Sequence, residues 1–61
     1  MLTRKECIER IVHEETIIAV RDNCYGFILL SIEDKTKIIE DLFNGDSLEF
    51  LQCYIEYTYD K

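Results

Sequence analysis

Adjacent carboxylates occur at Glu14-Glu15, Glu33-Asp34 and Glu40-Asp41, and a pair of acids is the least equipment that general acid–base chemistry needs. That chemistry also needs a cleft that shifts one pKa and holds a substrate, and 61 residues leave little room to build one. Neighbouring acids on a helix are ordinarily solvated surface. His13 follows Glu9 by four residues, so on a helix the two could pair, or the imidazole could titrate near neutrality; the simpler reading is an exposed histidine. Cys7 and His13 lie six residues apart, on different sides of one helix, which is the wrong arrangement for a nucleophile and its base.

Three cysteines with no C-x-x-C spacing, beside a single histidine, do not make a zinc site. Cys7 and Cys53 read as small apolar core residues, and Cys24, in a turn, as the exposed thiol. With Gly26 and Gly45 the only glycines, no phosphate-cradling loop can form. The expectation is a protein that is not an enzyme, with no catalytic residue, metal or cofactor.

Three segments could position these side chains. Thr3 with Glu6 fits a capping box, Asp46 with Glu49 offers a carboxylate version, and Ser31 with Asp34 a third. After Thr3, the residues Cys7, Ile8, Ile11, Val12, Ile18 and Ala19 recur at helical spacing; after Ser31, so do Ile32, Thr36, Ile39, Leu42 and Phe43, closed by Asn44-Gly45. Beyond Asp46 a narrow strip of Glu49, Gln52 and Glu56 leaves Leu48, Phe50, Leu51, Cys53, Tyr54, Ile55 and Tyr57 around the rest, a helix that wants cover on more than one side. The fold expected is a small all-α three-helix domain, with helices at about 4–21, 32–43 and 47–59. An α+β alternative puts a β-hairpin at about 16–30, where strand formers flank Asp22-Asn23. Against the hairpin, nothing before Thr16 would end the first helix, although the long helix puts Glu15 and Asp22 in its apolar stripe.

A chain this short forms one domain of thin stability, and 48% hydrophobic with 33% charged residues is a folding composition. No apolar run reaches the roughly 18 residues of a membrane span, and the first residues lead into a charged segment, not a signal core. The chain reads as cytoplasmic, with reduced thiols.

Charge carries the functional signal. The net charge of -6 argues against direct binding of nucleic acid, which rests on clustered Lys and Arg. Residues 1–37 hold seven acids and six bases, whereas residues 38–61 hold six acids and one base. Glu40, Asp41, Asp46, Glu49, Glu56 and Asp60 are there interleaved with Phe43, Phe50, Tyr54, Tyr57 and Tyr59. Glu40, Asp41, Asp46, Glu49, Glu56, Tyr57, Tyr59 and Asp60 are therefore the candidate partner-binding residues: an acidic, tyrosine-rich surface that docks on a basic surface of another protein, steered by charge and anchored by aromatics. A nucleic-acid groove on that partner is one such surface. The competing reading makes the acids a solubilising coat and the aromatics core, and a structural module dimerising through its last helix is the alternative function. In size and acidity the chain is similar to small inhibitors made by phages and mobile elements, some of which occupy nucleic-acid sites on CRISPR nucleases or restriction enzymes; the similarity is one of composition and carries over no residue.

Overall fold

The computed structural model describes residues 1–60 and contains four helices: α1 (Arg4–Arg21), a one-turn α2 (Tyr25–Ile28), α3 (Ile32–Leu42) and α4 (Leu48–Thr58). The fold is all-α, as the apolar spacing requires, and no strand occurs among the described residues. The hairpin at 16–30 does not form, because Thr16–Arg21 complete α1 and the strand formers after Cys24 wind into α2. That short helix is the one element the sequence reading left out.

Each long helix begins on a hydroxyl. Thr3 Oγ1 accepts from the Glu6 amide at 3.2 Å and the Glu6 carboxylate accepts from the Thr3 amide at 2.8 Å, a complete capping box. These bonds favour the charged form and hold the Glu6 carboxyl below its usual range. Ser31 accepts from the Asp34 amide at 3.1 Å. The fourth helix departs from expectation, since Ser47 and not Asp46 caps it, accepting from the Phe50 amide at 3.1 Å. Both residue types suit the position, and Ser47 stands the right three residues before the amide it receives.

The exit from α1 explains how an 18-residue helix stops without glycine. Asn23 takes a φ of 58°, while the Cys24 amide donates to the Ala19 carbonyl at 2.8 Å and the Asn23 amide to that of Val20 at 3.3 Å. This is the six-to-one and five-to-two pairing of a Schellman motif, with asparagine as the left-handed residue. At the end of α3 the left-handed residue is Gly45, φ 93°. Arg4 then fixes the α3–α4 connection by donating to the carbonyls of Asp46 at 2.6 Å and Phe43 at 2.9 Å, a cation set at the negative end of a helix dipole.

Helices α2, α3 and α4 pack chiefly on α1. The core is a seam of Cys7, Ile8, Ile11 and Val12 from α1, Ile39 and Phe43 from the α3 side, and Leu51 and Ile55 from α4. Principal extents of 31 × 25 × 15 Å fit two helical layers, because axes about 9 Å apart with a Cα radius of about 2.3 Å span roughly 14 Å. So thin an arrangement leaves much side-chain surface outside. The chain exposes 4544 Å², about a tenth more than the roughly 4,200 Å² of a typical monomer of this mass.

Candidate functional site

Leaning chiefly on α1, with Tyr54 also edge-on to Phe43 at the end of α3, α4 buries one edge. Leu51 and Ile55 face the seam with Leu48, Tyr54 and Tyr59 packed beside them, and the opposite side remains open. At 100° per residue, Glu49, Cys53 and Tyr57 fall near the middle of that open side, flanked by Phe50 and Glu56. Tyr57 is 82% and Phe50 49% exposed, and Cys53 is exposed too. Together with Tyr54 and Glu56 they line a shallow depression along α4. Glu49 and Glu56, both exposed, stand about 10 Å apart along the axis. Between Ile38 and Asp60 no Lys or Arg interrupts the chain.

The eight candidate residues divide. Glu49, Glu56 and Tyr57 share this outer face. Glu40 lies elsewhere, lining a groove between α1 and α3 beside Arg4 and Lys5, whereas Glu56 also borders a depression on the other flank of α1, with Leu2 and Arg10. Asp41 is exposed on α3. Asp46 is half-buried in the connection, where its carbonyl receives Arg4.

Two of the candidates serve the fold. Tyr59 is half-buried against the core, meets the Tyr54 ring edge-on at 5.9 Å between centroids, and donates its hydroxyl to Glu15 Oε2 at 2.7 Å. Burial first, then the bond to Glu15, pushes its phenol well above the ordinary range. Asp60 pairs with Arg10, which also reaches Glu14. An acidic partner on each side holds the Arg10 guanidinium above its ordinary value, the Asp60 bond contributing most.

One cysteine corrects the sequence reading. Cys53, expected in the core, lies on the open face, because no second helix covers that side of α4. Cys7, by contrast, is wholly buried, and desolvation raises its thiol pKa, while Cys24 is exposed as expected. His13 is exposed as well. Sequence reasoning also passed over Lys35, which is buried in α3. Its signal was present: Lys35 lies four residues before Ile39, on the side of α3 that faces the seam.

No known protein family, curated protein or solved structure matches the chain.

Proposed function

We propose that this chain is a non-enzymatic regulatory or inhibitory protein that binds a partner through the outer face of α4. The observation that carries the reading is the exposure of Phe50 and Tyr57 beside Glu49 and Glu56 on a helix without a single base. A large aromatic left in water is costly surface unless something covers it, and carboxylates beside it select a cover of opposite charge. Phe50 and Tyr57 are the anchors; Glu49 and Glu56 steer. The partner is a protein with a basic surface, of which a nucleic-acid-binding groove is one case, and the chain itself takes no nucleic acid.

The same apolar strip supports the second reading, a homodimer through α4. Two-fold pairing on this face would set the Glu49 and Glu56 carboxylates of both copies near one another with no base on the helix to separate them, a repulsion that disfavours self-association. The two readings respond oppositely to salt. A complex with a basic partner associates more slowly as salt screens attraction, whereas an acidic dimer tightens as salt screens repulsion.

The test begins with capture of the partner from the native cell and measurement of its binding rates. A Glu49→Gln, Glu56→Gln variant is expected to associate several-fold more slowly and with a weaker dependence on salt. Tyr57→Ala is expected to raise the dissociation rate at every salt concentration. Unchanged rates for both variants would leave the acids as solubilising surface and the α4 face without a role.

A further inference from the structure

The groove between α1 and α3, about 850 Å³ in volume, is distinct from the outer face of α4 and falls within the range of small-molecule sites. Its apolar wall is formed by Ile8 and Val12 of α1 and Ile32 of α3. Lys35 also lines it although that residue is only 8% exposed. Its ammonium has no carboxylate within salt-bridge distance among the described residues, and its Nζ stands 5.5 Å from the centroid of the Phe27 ring. The lysine stem covers apolar surface while the charged head opens into the groove. A cation so placed has no anion beside it, and an anion arriving in the groove would supply one through a charge-assisted hydrogen bond.

The charges around the groove set the class of anion. Arg4, Lys5 and Lys35 line it together with Glu9 and Glu40, an excess of one positive charge within a chain whose net charge is -6. A monoanion matches that excess, and a dianion would meet the two rim carboxylates. We infer that the α1–α3 groove binds a small amphipathic carboxylate, its apolar body along Ile8, Val12 and Ile32 and its head on the Lys35 ammonium.

Decanoate, kept below its micellar concentration, is the probe; decanol is the neutral control and decyl phosphate the more highly charged one. Titration followed by amide and methyl NMR shifts is expected to move Ile8, Val12, Ile32 and Lys35, with decanoate binding roughly tenfold or more tightly than decanol, as a hydrogen bond to a charged group warrants. Decyl phosphate is expected to bind more weakly than decanoate. Lys35→Met keeps the apolar stem and is expected to bring decanoate down to the affinity of decanol. Should that variant fail to fold, Ile32→Asp decides, because Ile32 is 66% exposed and the new carboxylate repels the ligand without touching the core; a loss of tenfold or more is expected. Equal affinity for decanoate and decanol, binding unaffected by either folded variant, or shifts confined to Phe50 and Tyr57 would each overturn the assignment.

Discussion

Tyr59 shows how one residue type serves opposite purposes within three positions. Tyr57 projects from the open face of α4, while Tyr59 turns inward to Glu15, 44 residues earlier in the chain. The sequence offers both as anchors, since nothing local to Tyr59 announces a carboxylate contributed by the middle of α1. Glu15 itself, an awkward acid in an apolar stripe, finds its explanation in the same bond. The pH consequence follows in sign: the folded phenol titrates above its ordinary value of about 10, so the stabilisation is complete below that pH and is lost as pH rises beyond it. Tyr59→Phe is expected to cost about 1 kcal/mol at neutral pH and to make the protein less sensitive to alkali than the parent. Urea unfolding at neutral pH and above pH 10 checks both, and a parallel alkaline decline in parent and variant would disprove the role.

At the scale of elements, what could be read in advance was what depends on near neighbours. The capping box at Thr3, the Ser31 cap and the three apolar stripes all lie within a few residues of their partners, and the long helices stand close to where those signals put them. The stops were harder, because asparagine in a left-handed conformation is one of several things an Asp-Asn pair can do. The α4 face was the least legible, since a helical pattern gives the direction of its apolar residues but not how many neighbours will cover them. Asn23 and Gly45 now make a matched pair for testing. Open space surrounds the Cβ that alanine would add at Gly45, so Gly45→Ala pays conformational strain alone, and both it and Asn23→Ala are expected to cost about 1–2 kcal/mol. Asn23→Gly should leave stability roughly level. Thermal unfolding of the three variants measures this, and an unchanged midpoint for both alanine variants would remove the left-handed turns from the account of how the helices end.

For the whole molecule, α1 is the element on which the others depend. Its buried edge supplies half of the seam, while α3 and α4 add their residues from either side. The fold therefore has no stable half in which α1 is missing. Losing α4 would uncover the seam, and losing α3 would uncover Ile8 and Val12, the α1 wall of the groove. Stability of a domain this short is expected to be only a few kcal/mol, about 0.05–0.15 per residue. Rare opening of the seam is accordingly part of its normal behaviour.

The three thiols turn that architecture into a clock. Cys24 and Cys53 lie in water, whereas Cys7 has no exposed surface and lies where α1 meets its neighbours. A soluble disulfide reagent should modify two sulfurs per chain promptly and the third only when α1 parts from the helices against it, at a rate set by the opening equilibrium when reclosing is fast. Raising the reagent concentration would then accelerate the slow phase until separation of the helices itself becomes limiting, yielding the opening rate without denaturant. Three prompt modifications would mean that Cys7 reaches solvent without parting the seam. One slow sulfur makes the native sequence its own reporter on the hub, with no foreign label required.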